Sequence, residues 1–437
     1  MINRYTNDKI VEIWSDKNKY ETWLEIEKLI VEAWSSIGVI PNEDAKLIRN
    51  KAQININRMF ELEIENKHEM VAFTRAISET LDDEKRWIHF GLTSTDIIDT
   101  AQNFLIKESN EVVQNEMIKL GETLFSLAKK YKNTLIMGRS HGIYGEPTSL
   151  GLKFLLWFDE IGRQIERLLF SKKQIEITKI SGSMGNYVHI EPEIEEFVAE
   201  KLKLSIDSIN TQVTQRDRHA FLLSCFANIA STLEKIAQEI RLFSRSEIKE
   251  WNEGFGVNQK GSSSMPHKRN PISSENISGL SRYIRSFVSV SFENNLLWHE
   301  RDISHSSNER LILPDVFNIL VYSINRLTDT LEKLVIDKNE INKHIKEAKN
   351  IYFSQTLLTY IIKTTKFSRE EIYDFIQAAT IKAMNENKDF KSILEQNNIQ
   401  KFISINALNK IFKDEYFLRN TEKIYERIDI SWLKKMT

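Results

Sequence analysis

Five short polar stretches hold most of the residues able to do chemistry. The densest is Gly261-Ser-Ser-Ser-Met-Pro-His-Lys-Arg-Asn-Pro271. A glycine and three serines leave backbone N–H groups free, and His267, Lys268, Arg269 and Asn270 add side-chain donors and positive charge. Pro271 stops the segment ahead of a helix expected to start near Ser273. A donor-rich loop feeding a helix N-terminus suits an anion, either a phosphate or a carboxylate. The plainer alternative is a basic, solvated loop. It is not a P-loop, because G-x-x-x-x-G-K-[ST] is absent. The second stretch, Gly138-Arg-Ser-His-Gly-Ile-Tyr-Gly-Glu-Pro147, reads as a loop that sets His141 among small residues. An imidazole titrates near neutrality, so His141 is a candidate proton donor. His89, which opens the stretch running to Asp96, and His68 are candidates of the same kind, each equally readable as polar surface. His68 has Lys67 and Glu69 beside it, as on a solvated helix face. Ser181-Gly-Ser-Met-Gly185 is another small-residue cluster. The fifth stretch, Trp298 to Arg310, carries Arg301 and Arg310, a pair able to clamp carboxylates or phosphate. His299, Glu300 and His305 do not form H-E-x-x-H, so no metal site is expected.

These clusters stand out because turn formers are otherwise scarce. The chain of 437 residues has 14 Gly and 6 Pro, against roughly 12% of positions in average composition. Such a chain has few tight corners and is built from long elements. From His219 to Glu253 neither residue occurs, and Leu222, Phe226, Ile229, Leu233, Ile236, Ile240 and Phe243 recur at alternating spacings of four and three. That is one apolar face of a helix up to about 50 Å long. Similar stripes run through Val113, Met117, Leu120, Leu124, Leu127 and Tyr131, and through Phe317, Leu320, Ile324, Leu327, Leu331 and Leu334. Pro147–Ile180 and Ser274–Glu300 are two further helix candidates. The expectation is an all-α chain of three domains: a helical head over 1–93, a long central helix bundle over 94–364 and a helical tail over 365–437. Helices this long also suit association of bundles between subunits.

Bulk properties remove several classes of partner. Lys plus Arg number 60 and Asp plus Glu 62, a net charge of −2 that offers no general attraction to nucleic acid or an anionic membrane. No run of about 18 uninterrupted apolar residues is present, so no membrane span is expected. The N-terminal residues show no apolar leader, and the single cysteine, Cys225, suits a reducing cytoplasm.

The 261–271 segment resembles the signature loop G-S-S-x-M-P-x-K-x-N-P of the fumarase/aspartase superfamily. Arg4-Tyr5, His68 to Thr74, Gly91 to Asp96, Gly138 to Gly142, Thr211 to His219 and Trp298 to Arg310 extend the likeness along the chain. Within the superfamily they resemble the adenylosuccinate lyase family in its bacterial short form. The resemblance implies β-elimination of fumarate from adenylosuccinate, giving AMP. It implies the same cleavage of succinylated aminoimidazole carboxamide ribotide (SAICAR), giving AICAR, in purine nucleotide synthesis. It also implies a homotetramer whose active sites draw on three subunits, with no metal or organic cofactor.

Roles follow from the same resemblance. Ser262 matches the base, with Lys268 and the loop N–H groups stabilising its alkoxide and the carboxylate formed on proton loss. His141 matches the general acid, Glu275 its orienting partner and His68 a histidine near the substrate phosphate. Arg4 and Tyr5 match nucleotide contacts; Thr93, Ser94, Gln212, Ser263, Lys268 and Asn270 match succinyl or intermediate contacts; Arg301, Ser306 and Arg310 match residues near ribose and phosphate. Lys67, Glu69, His89 and Arg269 complete the expected binding set. The family commonly has Arg-His-Asp where this chain has Lys67-His68-Glu69, a change that keeps charge but gives up a bidentate fork. Argininosuccinate lyase, fumarase, aspartase and carboxymuconate cycloisomerase share the signature loop and stand as alternatives. So does a non-catalytic, crystallin-like descendant, which would be expected to lose Ser262, His141 or Lys268; all three are present.

Overall fold

Stretches without turn formers propagate as helix. The computed structural model, which describes residues 2–255 and 261–434, contains five helices of 22 residues or more. They are Ser94–Lys130, Leu150–Ile175, Asp217–Phe243, Ile272–Glu293 and Ser304–Glu332. The stripe from Leu222 to Phe243 is buried along its whole length, as is that from Phe317 to Leu334. In the third stripe Leu127 is only half-buried and Ala128 takes the buried place. A straight helix of 3.6 residues per turn drifts off a strict heptad in this way. Asp217–Phe243 has the length and hydropathy to cross a membrane, but 61% of its apolar window is buried in the protein, as expected of a core helix.

Three of the expected helices have different bounds. The helix expected over 147–180 starts at Leu150 and ends at Ile175. Pro147 instead lies in a strand, where its missing N–H matters less. The helix expected to reach Glu253 ends at Phe243, and Trp251–Asn252 pairs with Val335–Ile336. The one expected to reach Glu300 ends at Glu293. The stretch read as a loop from Gly138 to Pro147 is a β-hairpin, Leu135–Ser140 against Ile143–Ser149. Its reversal is His141-Gly142, both at positive φ (55° and 79°). Two left-handed residues make the tight reversal whose twist suits antiparallel strands.

Contacts divide the chain into two compact units, and the division falls inside all five long helices. The first unit comprises 1–119, 163–235 and 276–327. Its helix Asp16–Ser36 is capped by Ser15, whose Oγ accepts from Asn18 N at 3.2 Å. That helix buries Trp23, Ile26, Ile30 and Trp34 in a core shared with Phe73, Ile97, Ile194 and Val198. Each such side chain contributes roughly 1.5–3 kcal/mol on burial.

The second unit comprises 120–162, 236–275 and 328–437. Here Trp251 stacks between Phe243 (centroids 4.4 Å) and Phe154 (5.7 Å). Trp432 stacks on Phe158 and fills a slot that Gly121 and Gly162 leave open. A Cβ on Gly121 would meet the Trp432 ring at 2.3 Å.

Candidate active site

The first unit encloses a cavity of about 570 Å³. Lys67, His68, Glu69, Ser94, Arg301, Ser306 and Arg310 line it, so seven residues singled out from scattered segments converge. The local fold explains their placement. Helix Ile56–Asn66 ends on Lys67 in the left-handed conformation (φ 57°), and His68 caps the next helix, Glu69–Ser78. His68 Nδ1 accepts from Val71 N at 3.3 Å, which assigns the ring proton to Nε2. Ser94 opens the 37-residue helix, where Asp96 Oδ2 accepts from Thr93 N at 2.8 Å. Arg301 donates to Gln212 Oε1 at 3.2 Å, and Gln212 O accepts from Thr95 Oγ1 at 2.5 Å.

Glu69 is tied to protein partners. Its carboxylate accepts from Lys19 Nζ at 2.6 Å, Tyr20 OH at 2.9 Å and Arg310 Nη2 at 2.5 Å. Burial would raise its pKa, but Lys19 and Arg310 hold it below the ordinary carboxylate range. Glu69 therefore fixes two cations in the cavity wall, and Lys19 is one that sequence reasoning missed.

A buried charge cluster forms part of the cavity lining. Arg216 makes a two-pronged pair with Asp99 (2.7 and 3.1 Å) and reaches Glu309 Oε1 at 3.0 Å. Burial opposes ionisation of Asp99, but the adjacent Arg216 overrides it and holds the carboxyl at about 2. Glu309 is raised, by its own burial and by Asp99, despite Arg216. Burial and the Arg216 charge push His305 down to about 4 and His219 well below its usual range. Deeper still, Lys179 and Asp96 pair at 2.6 Å with both side chains fully buried. Sequence reasoning missed Asp99, Arg216 and Glu309 as site-forming groups. A signal was present for Arg216 and Glu309, which lie in the Thr211–His219 and Trp298–Arg310 segments carrying the family resemblance, and none for Asp99.

The second unit carries the other group of candidates. Ser262 Oγ accepts from Ser264 N at 3.3 Å and Met265 N at 3.0 Å. Asn270 Nδ2 closes the loop onto Gly261 O at 3.1 Å, and a Cβ on Gly261 would strike Lys268 O at 2.2 Å. The glycine is required by that close approach. Arg269 lies over the Phe255 ring at 5.6 Å. Ser263, Lys268 and Arg269 are exposed, as is Glu275 in the first turn of Ile272–Glu293. His141 is exposed at the hairpin tip. Among the described residues no hydrogen bond or ion pair joins it to Glu275 within the chain. One expectation is corrected here. The helix N-terminus after Pro271 was read as part of an anion site. Instead the chain's own Glu253 occupies it, accepting from Ser273 N (3.0 Å), Ser274 N (2.7 Å) and Ser274 Oγ (2.6 Å). A carboxylate satisfies the unpaired first-turn amides as well as a bound anion would.

Residues 3–285 match the Lyase family model, and residues 350–428 match the model for the adenylosuccinate lyase C-terminus. Over 428 residues the chain is 43% identical to an adenylosuccinate lyase of Staphylococcus saprophyticus, covering 98% of this chain and 99% of that one. The chain belongs to the adenylosuccinate lyase family.

Solved structures agree at the level of fold. A β-carboxy-cis,cis-muconate cycloisomerase of Acinetobacter calcoaceticus superposes with a TM-score of 0.86 at 22% identity over 98% of each chain. A fumarate lyase of Mesorhizobium does so at 0.87 and 19%, over 99% of each chain. The all-α fold of these lyases is therefore the fold of this chain. The expected residues divide between the two units, Lys67, His68, Glu69, Ser94, Arg301, Ser306 and Arg310 in the first and His141, Ser262, Ser263, Lys268, Arg269, Asn270 and Glu275 in the second. The cavity gathers those of the first unit named here. Arg4 and Tyr5 lie outside its wall, in a short turn where Tyr5 meets Tyr322 edge-on at 5.2 Å. His89 also stands apart from it. Its N and Nδ1 engage Glu27 at 3.0 and 2.7 Å. Burial pulls the ring down, but the Glu27 carboxylate more than offsets this and leaves its pKa raised. Among the described residues, no group of three or more His, Cys, Asp or Glu side chains is placed to hold a metal ion.

Proposed function

We propose that the chain cleaves adenylosuccinate to AMP and fumarate, and SAICAR to AICAR and fumarate. The observation that carries the reading is the cavity wall. Its lining includes Lys67, Arg301 and Arg310 together with His68, donors suited to a nucleotide phosphate, among carboxylates such as Glu69 that hold some of those cations in place. Full-length likeness to an adenylosuccinate lyase supports the same substrate class.

The elimination needs a base and an acid. Ser262, as its alkoxide, takes the proton from the succinyl carbon next to the one bonded to nitrogen. The N–H groups of Ser264 and Met265 already aimed at its Oγ support that charge. The pair of electrons left on carbon is held as a doubly charged carboxylate near Lys268. The C–N bond then breaks, the electron pair leaves with nitrogen, and His141 supplies the proton that nitrogen requires. Glu275 serves as the partner that orients the imidazole. Thr93, Ser94, Gln212, Ser263 and Asn270 hold the succinyl group. Arg4, Tyr5 and Ser306 hold the nucleotide, with Arg269 and His89 in support. Lys67 keeps the charge of the family's usual Arg without its fork.

We further propose a cytoplasmic homotetramer, with three sequence-defined domains per chain and each site drawing on three subunits. His68 and His141 lie in separate units of the chain, and His141, Lys268 and Glu275 are exposed in the single chain. Groups that must act away from water gain cover from a neighbouring subunit. The test is an absorbance assay with adenylosuccinate, argininosuccinate and fumarate supplied separately. Turnover of adenylosuccinate alone is expected; turnover of another substrate without it would overturn the reading.

A further inference from the structure

The hairpin carrying His141 is anchored from beneath by a fully buried carboxylate that the reaction itself does not use. Glu250 has no exposure, and its Oε1 accepts from Arg139 Nη2 at 2.6 Å and faces His344 Nδ1 at 2.6 Å. Its backbone O accepts from Asp337 N at 2.8 Å, which fixes the carboxylate's own position. Arg139 stands two residues before His141 and pairs across the hairpin with Tyr144. Its guanidinium lies over the Tyr144 ring at 5.1 Å and the Phe243 ring at 5.3 Å. Between Met137 and Arg139 the register shifts, at a Gly138 whose Cβ would meet Glu146 O at 2.5 Å. The bulge bends the strand just before the reversal.

A two-stranded hairpin is marginal by itself, and a histidine at positive φ adds to the tip's cost. Something must hold it, and the strand leading to the tip is anchored by the Arg139–Glu250–His344 cluster. We propose that Glu250, through Arg139 and His344, is a positioning residue that holds the His141 hairpin in its working geometry. The proposal rests on the reading of His141 as the acid. It assigns the cluster to placement of the proton donor; substrate is held by other groups. Loss of the anchor should therefore lower kcat and leave KM nearly unchanged.

The test uses the full-length enzyme carrying Glu250→Gln, with Arg139→Lys as a charge-keeping variant in case the first does not fold. Glu250→Gln should lower kcat about 10²-fold, the scale of a 1 Å misplacement. Arg139→Lys should lower kcat less, and neither should move KM by more than about threefold. On a His141→Ala background, Glu250→Gln should cost less than about twofold more, because residues acting as one unit are not additive. A full second loss on that background, a KM effect equal to the kcat effect, or unchanged kcat in the folded variants would overturn the inference. A fully active His141→Ala enzyme would instead remove the acid reading, and the positioning role with it.

Discussion

The two units hold their functional groups in opposite ways. In the first, charge is fixed before any substrate arrives: Asp99 and Arg216 are buried and paired, and Glu69 pins Lys19 and Arg310. In the second, His141, Lys268 and Glu275 lie exposed on a hairpin tip, a loop and a first helical turn. A binding wall benefits from rigidity, because prearranged cations cost less to order when the anion binds. Groups that move protons also need water excluded, and exposed turns must get that cover from elsewhere. The contrast makes the first unit the more sensitive in stability and the second the more sensitive in turnover.

Ser262→Ala should show the largest effect. Removing the proposed base should lower kcat at least about 10³-fold while the far-ultraviolet circular dichroism and melting temperature stay unchanged. A large fall in melting temperature would break the contrast. Asp99→Asn should do the reverse. It leaves the buried Arg216 short of a counter-charge, and stability should fall by about 3 kcal/mol in urea unfolding. Acid should act on the first unit in the same direction. His305 has a folded pKa depressed to about 4, so its contribution is present above its unfolded value near 6.5 and is lost as pH falls below that. Between pH 7 and 5 this amounts to about 2 kcal/mol, read as a shift in urea midpoint. His305→Asn should remove much of that shift. Asp99, held at about 2, adds its loss only below about pH 4. The smallest effect sharpens the picture of the second unit. Gly121→Ala puts a Cβ where the Trp432 ring sits, and should cost about 1 kcal/mol with kcat unchanged.

Much of this was legible beforehand, and unevenly. The stripe from Leu222 to Phe243 foretold its buried face residue for residue, because helical periodicity depends only on local spacing. The convergence of Lys67, His68, Arg301, Ser306 and Arg310 on one cavity followed from the resemblance, since motifs mark residues without giving distances. Two features were out of reach. Glu253 capping the helix at Ile272 pairs residues some twenty apart in a segment with no capping pattern. The hairpin at 135–149 hid behind its glycines and Pro147, which read as loop because Gly and Pro punctuate both structures. Lys19 and Asp99 carry no local mark either, for a charge on a helix reads as solvated until a partner from a distant segment is known.

The most direct test of shared sites is complementation between the two units. His68→Ala and His141→Ala enzymes, each strongly impaired alone, would be mixed under conditions that exchange subunits, and adenylosuccinate cleavage followed. If a site takes these two residues from different subunits, about a quarter of the sites in an equal mixture are intact, and activity should rise toward that fraction. No recovery on mixing, with subunit exchange demonstrated, would contradict the account.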